Sequence, residues 1–465
     1  MPSTAAELTA AYAAGSLSPR EVLETTLAAA EVAGERYHAI ATTNADEARD
    51  QAAASEARWH AGAPLGPLDG VPVSVKDSFP MIGLKRWHGS AVHDHLPPST
   101  HDGAPVRRLK EGGAVLFAKT SMPDFGLLAS GLSSQFGTIT NPWDTEASPG
   151  GSSSGAGVLL ATGVGPAAIG TDMGGSVRTP AAQCGVAALK TTQGRVAYDP
   201  PKLTGTAGPM GRTVEDVARV LEVVGAPDDA DHLSLPGRFA WDRTPLDRLD
   251  GLTIGLTLDS APGMLAVEPE VAAAVEAQAR LLERLGARIV AVEAVATPDD
   301  TRTHGAWAHA KGMPELLDAP EEAWAAVPAA LREALVSRRD LSAVEYLRLE
   351  KAVERIRARW AAAFNAVDLV LSPVIPVVSF PADQPGPVAE NAGLGHLMFT
   401  VPYNITGMPA GTVPVAVAAS GLPIGVQVGG RRFADGQVLS ALALLERHRE
   451  VEPAYPDIAV AAVAE

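Results

Sequence analysis

The sequence predicts an α/β protein built on a long, mostly parallel sheet with helices on both faces. Two observations carry this reading. Short apolar or alternating runs that read as strands are separated by longer segments with helical spacing, and such alternation closes into a helix-covered, largely parallel sheet. The 465 residues are 46% apolar and 20% charged, ample material for a large core. Length alone suggests about three domains.

Taken in order, Thr4 to Ala14 and Pro19 to Ala33 carry Ala, Leu and Glu at helical spacing, and Ser18-Pro19 with Glu21 and Glu24 reads as a helix start. Residues 43–60 are again Ala-rich and helical, and Pro64 to Gly70 is a turn-rich linker. Val71, Val73 and Val75 alternate with Pro72 and Ser74, a strand pattern that ends at Lys76. Ala104 to Glu111 is expected as a helix, Ala114 to Lys119 as a strand, 154–163 as a helix, and Ala167 to Thr171 as a strand, with Ser176 opening the next helix. A helix over Asp216 to Val224 precedes a loop-like stretch, Asp228 to Asp250. Strands are expected at Leu252–Leu256, Ala287–Val292, Asp368–Ser372, Thr412–Val417 and Ile424–Val428. Helices are expected at Glu268–Leu285, near 302–318, at 328–336, over 341–365 and at Asp435–Arg449.

The chemistry concentrates between Ser148 and Pro180. This stretch reads S-P-G-G-S-S-S-G-A-G, then an apolar run, then G-T-D-M-G-G-S-V-R-T-P. Ser152 and Ser176 each follow two glycines. Glycine lets a substrate or another backbone come close, so Gly-Gly-Ser after an apolar run suits a turn whose N–H groups face developing negative charge. A serine needs a base before it attacks an amide, and no histidine lies near either serine in sequence. Lys76 stands instead at the end of its apolar strand, where desolvation lowers a lysine pKa and makes the neutral amine available as a base.

Three segments, G-V-P-V-S-V-K-D (70–77), S-P-G-G-S-S-S-G (148–155) and G-T-D-M-G-G-S-V-R-T-P (170–180), occur in the order and at the spacing of the amidase signature family, which the chain resembles. Weaker matches are G-A-V-L-F-A-K-T-S-M-P-D-F-G (113–126), N-P-W-D (141–144) and G-L-P-I-G-V-Q (421–427). The resemblance is strong over 65–225 and moderate over 395–445. It implies one large domain over 1–465 with a long twisted mixed sheet, despite the length. Within it, 1–62 is an N-terminal helical segment, 65–225 the catalytic core, 226–390 a variable region and 391–450 the closing part of the core. It also implies roles. Ser176 is the nucleophile, Ser152 the bridging serine after a cis peptide bond, Lys76 the base, and the amides of Met173, Gly174, Gly175 and Ser176 the oxyanion hole.

Departures from the family bear on substrate. Arg86 and Trp87 stand where most relatives carry two small hydroxyl residues, which places a bulky aromatic segment near Lys76 and makes Trp87 a candidate substrate contact. Met122 belongs to a loop that lines the acyl pocket in relatives, and Ser154 stands where Gly or Ala is usual. The glutaminase subunits of tRNA-dependent amidotransferases carry an Asp shortly before the segment matching F-T-V-P, to hold the amino group of glutamine. Here Leu397 occupies that place. The expected function is hydrolysis of a small, partly apolar or aryl amide, with carbamates and esters open; the glutaminase subunit is the alternative, and a non-catalytic scaffold is disfavoured by the intact Lys76, Ser152 and Ser176.

Other classes are set aside. The net charge of −17 opposes direct binding of nucleic acid, which needs clustered Lys and Arg. The single cysteine, Cys184, allows no internal disulfide and reads as a small buried hydrophobe. His88, His93, His95 and His101 crowd one proline-bounded loop, and His93-x-His95 with Asp94 has a metal-like spacing; a solvated loop is the expected reading, with no metal and no cofactor. Leu397 to Gly430 is uncharged, but its prolines and glycines fit buried strands and turns better than a membrane span. No basic segment followed by an apolar one opens the chain. A cytoplasmic monomer or homodimer is expected. Asp172 and Arg178, which flank the nucleophile, are expected to brace the oxyanion loop.

Overall fold

The computed structural model describes residues 4–259, 264–293, 297–388, 390–449 and 454–458. Its strands are β1 (Ile40–Thr43), β2 (Pro72–Lys76), β3 (Val115–Thr120), β4 (Leu132–Ser133), β5 (Gly137–Thr138), β6 (Ala167–Asp172), β7 (Ala187–Lys190), β8 (Thr206–Gly211), β9 (Thr253–Leu256), β10 (Arg288–Ala291), β11 (Leu369–Pro373), β12 (Ala410–Val417) and β13 (Pro423–Gly430). All but the small β4–β5 hairpin join one 11-stranded sheet in the order β1-β3-β2-β6-β8-β7-β12-β13-β11-β9-β10. The chain is therefore a single α/β domain, as expected. The parallel pairing implied by the helix–strand alternation lies in two blocks, β3-β2-β6 and β11-β9-β10. Antiparallel strands β8, β7, β12 and β13 join those blocks.

Side chains alternate across this sheet because successive residues of a strand point to opposite faces. Leu116, Ala167, Ile169 and Leu189 enter one core, with the helices Ala104–Glu111, Val214–Val224, Pro269–Arg284 and Asp435–Arg447. Val115, Phe117, Ala168 and Ala188 enter the other, under the helices Pro19–Tyr37, Ala45–His60, Ser154–Ala161 and Arg178–Cys184. Capping boxes start several helices, Ser18 with Glu21 as expected from sequence, and also Thr213 with Asp216, Thr297 with Asp300 and Ser342 with Glu345. The uncharged 397–430 stretch supplies β12 and β13, and among the described residues no helix is long and apolar enough to cross a membrane.

Some expectations shift. Ser176 does not itself begin a helix; the helix starts at Arg178, and Ser176 lies in the turn before it. The strands β1, β7 and β8 and the short helix Val401–Thr406 add to the elements expected from sequence. The helices Pro298–Leu317 and Ala343–Phe364 pack together over the segment around Leu397 to Val401. Trp307, Val353, Ile356 and Trp360 pack there against Leu397, Met398 and Val401.

Candidate active site

Lys76 is the last residue of β2 and Asp172 the last of β6, and these strands lie side by side and parallel. Their carboxyl ends therefore open on one edge of the sheet, the usual place for a site in an α/β fold. Lys76 is fully buried. Its Nζ donates to Ser152 Oγ at 2.8 Å and to Thr171 Oγ1 at 2.9 Å. Burial holds its pKa well below the ordinary lysine value, against the opposing charge of Asp172 and, more weakly, Asp77. Asp77 has its own cation: Lys119 Nζ is 2.7 Å away, both groups fully buried. The peptide bond from Gly151 to Ser152 is cis. The next amide, Ser153 N–H, donates to the Ser176 carbonyl at 2.9 Å, which ties the two serine turns together.

The turn carrying Ser176 is braced from beneath. Asp172 accepts the Gly175 N–H at 2.8 Å and the Val177 N–H at 3.2 Å, and both oxygens pair with Arg178 at 2.9 Å. Arg178 also donates to the Thr400 carbonyl (2.9 Å), Gln427 Oε1 (2.8 Å) and Asn404 Oδ1 (2.7 Å), so every arm of the guanidinium is engaged. Burial alone would raise the Asp172 carboxyl; the Arg178 charge and the Arg178 and Asn404 hydrogen bonds hold it below the usual range. Gly175 has φ +133°, and a Cβ there would meet Thr400 Oγ1 at 2.6 Å, so only glycine fits. Its N–H is committed to Asp172, which corrects the expectation that it faces the oxyanion. Among the described residues the amides of Met173, Gly174 and Ser176 have no internal acceptor.

Ser176 opens onto a cavity of about 30 Å³, whose lining includes Leu127, Leu128, Met173, His304, Leu394 and Leu397. Of the residues singled out from sequence, Met173, Gly174, Ser176 and Leu397 are brought to it. Met122 is fully buried beside Ser152: a Cβ on Gly126 would lie 3.2 Å from both Met122 Cε and Ser152 Oγ. Trp87 is not brought to the cavity. Its ring meets Phe136 edge-on at 5.7 Å, and its N–H reaches Asp94 at 3.4 Å. The histidine loop is tied down by its own hydrogen bonds. His93 Nδ1 bonds the Trp87 carbonyl, His95 Nδ1 the Val92 carbonyl, and His88 and His93 both reach Glu315. Among the described residues no group of three donors is placed to hold a metal.

The amidase family model matches residues 21–439. The chain belongs to the amidase signature family. The A-type subunit of the Glutamyl-tRNA(Gln) amidotransferase of Anaeromyxobacter sp. (strain K) is 34% identical over 97% of both chains. The crystal structure of a bacterial aryl acylamidase of the amidase signature family superposes with a TM-score of 0.87, at 28% identity over 98% of both chains. The structure of the corresponding A-type amidotransferase chain from Thermotoga maritima gives 0.75, at 25% identity over 95% of both. Within this amidase fold, Thr171 bonds Lys76 and His304, Leu127, Leu128 and Leu394 line the cavity at Ser176, placements not expected from sequence. Thr171 was legible, being the residue before Asp172 on a strand expected to end at the site. His304 sits in the 226–390 region and Leu394 in the closing part, 391–450, and neither carried a local signal.

Proposed function

We propose that the chain is an amidohydrolase that cleaves the C–N acyl bond of a small, uncharged, partly apolar or aryl amide, with carbamates and esters sharing the same route. The cavity in front of Ser176 carries this reading: its described lining holds leucines, alanines and Met173 and no carboxylate. An amino-acid ammonium finds no partner there, whereas an alkyl or aryl group is buried favourably. Leu397, in the place of the ammonium-binding acid, is part of that lining.

In the proposed mechanism neutral Lys76 takes the proton of Ser152 as Ser152 takes that of Ser176. Ser176 Oγ attacks the acyl carbon. The oxyanion meets the free amides of the Met173–Ser176 turn; one such donor is worth roughly 10²–10³-fold in rate. The proton returns through Ser152 to the leaving amine, the C–N bond breaks, and an acyl-enzyme remains. Water, deprotonated by the same relay, releases the acid and restores Ser176.

The second reading is the glutaminase subunit of a tRNA-dependent amidotransferase. The identity of 31–34% to such amidotransferase chains across nearly the whole length favours it. Under it the chain works in a complex, and glutamine is the amide. A kcat/KM panel of an anilide, an aryl ester, an aryl carbamate and free glutamine, run on the chain purified alone, decides. The first reading expects the anilide or ester to lead. A win for glutamine, or activity that appears only with partner chains present, overturns it.

A further inference from the structure

The wall of the cavity at Ser176 is not wholly apolar. His304, on the helix Pro298–Leu317, lines it. A second cavity of about 20 Å³ shares His304, Leu394 and Leu397 with the first and adds Trp360. Two polar atoms on the lining of this second cavity, His304 Nε2 and Trp360 Nε1, are buried with no hydrogen-bond partner among the described residues. Its other polar side chains are satisfied. Asp300 pairs with Arg359 and accepts the Thr297 N–H, and Thr301 Oγ1 donates to Met398 Sδ. Buried polar nitrogens left unpaired are costly and uncommon, so two around one small void call for a ligand.

We propose that these nitrogens read an uncharged, oxygen-bearing group at the far end of the substrate, carried from the scissile carbonyl on an apolar or aryl spacer, which makes His304 a specificity-determining residue. The inference rests on the amidohydrolase reading of Ser176. The chemistry of the two groups sets the ligand. An indole N–H only donates, so the group must accept; an imidazole nitrogen donates or accepts according to tautomer, so a hydroxyl or a carbonyl oxygen satisfies both. Burial lowers the His304 pKa to about 4, so the ring is neutral at pH 7 and gives an anionic group no charge to pair with. The void holds about one water-sized group, which suits a single oxygen. His304, Leu394 and Leu397 line both this void and the cavity at Ser176.

The test is a matched pair, 3-(4-hydroxyphenyl)propanamide and 3-phenylpropanamide. Binding is measured by calorimetry to Ser176→Ala protein, and turnover is measured on protein with Ser176 intact. The hydroxylated amide should bind about tenfold more tightly, the worth of one good hydrogen bond, and show its advantage in KM rather than kcat. Adding His304→Phe should bring the ratio between the two amides close to one, as should Trp360→Phe, and His304→Gln should restore part of it. A ratio of one without these changes overturns the proposal. So does a tenfold ratio that survives His304→Phe, which is the outcome if a structural water holds both nitrogens. Preferential binding with no turnover of either amide would leave His304 standing and overturn the amidohydrolase reading. Turnover of both amides without preference would do the reverse.

Discussion

Lys76 illustrates how one residue acquires its chemistry from what surrounds it. It has two hydroxyl partners, Ser152 and Thr171, and among the described residues no carboxylate within hydrogen-bond reach, whereas Lys119 nearby holds Asp77 directly. Burial therefore lowers Lys76 without a contact ion to restore it. Lys76→Ala and Ser176→Ala should each reduce kcat by at least about 10³-fold while circular dichroism and melting stay near normal; substantial turnover by Lys76→Ala at pH 7 would refute the relay. Thr171→Val removes one of the two acceptors that aim the amine and should lower kcat about tenfold, with Thr171→Ser recovering most of it. The pH dependence follows in sign. Activity should rise with pH through the folded pKa of Lys76 and persist into mildly alkaline buffer. Because that pKa is depressed, the unfolded chain binds the extra proton between the folded value and the ordinary value of about 10.4. The stability penalty of burying Lys76 is full below the folded pKa and is relieved as pH rises across that window. A rate optimum near pH 5 would contradict the assignment.

At the scale of elements, the two serine turns depend on close backbone contacts. Gly155, in the first turn of the helix behind Ser152, lies against the backbone: a Cβ there would meet the Ala39 carbonyl oxygen at 2.4 Å and Ser121 N and O at 2.9 Å. Backbone cannot rotate aside as a side chain can, so Gly155→Ala should cost about 1–3 kcal/mol of stability, read from denaturant midpoints. Arg178→Met leaves Asp172 buried without its cation and should cost about 3–5 kcal/mol. An unchanged midpoint in either variant would show that the turn has other support. The same contrast explains which elements were legible. The helices with capping boxes and the Val-rich β2 announce themselves locally. Ala187–Lys190 and Thr206–Gly211 hold mostly Ala, Gly, Lys and Pro, residues with little intrinsic strand preference, and become strands because the sheet closes around them. In the site, Lys76, Ser152, Ser176 and the Asp172–Arg178 brace stand in ordered motifs. His304, Leu394 and the commitment of the Gly175 amide arise only from packing of segments distant in sequence.

For the whole molecule, the net charge of −17 makes tRNA a poor partner for the bare chain. Mixed with tRNA at 0.1 M salt, it should elute from a sizing column at its own position, and comigration would favour the amidotransferase reading. Exhaustive treatment with EDTA should leave turnover unchanged, since every proton transfer proposed falls on Lys76, Ser152 and Ser176; a loss restored by zinc would redirect attention to His93 and His95.

The bracing of Arg178 also has a timetable. Lys76, Ser152 and Ser176 all precede Arg178 in the chain, but Gln427, which receives the guanidinium, follows 249 residues after Arg178. At roughly 5–20 residues per second that interval is on the order of 10–50 s. Until then Thr400, Asn404 and Gln427 are missing from beneath the Ser176 turn, and the nascent chain carries Lys76, Ser152 and Ser176 with that turn unsupported. Under the proposed mechanism a ribosome-stalled chain ending before residue 400 should be inert, its activity waiting on residues 400–427.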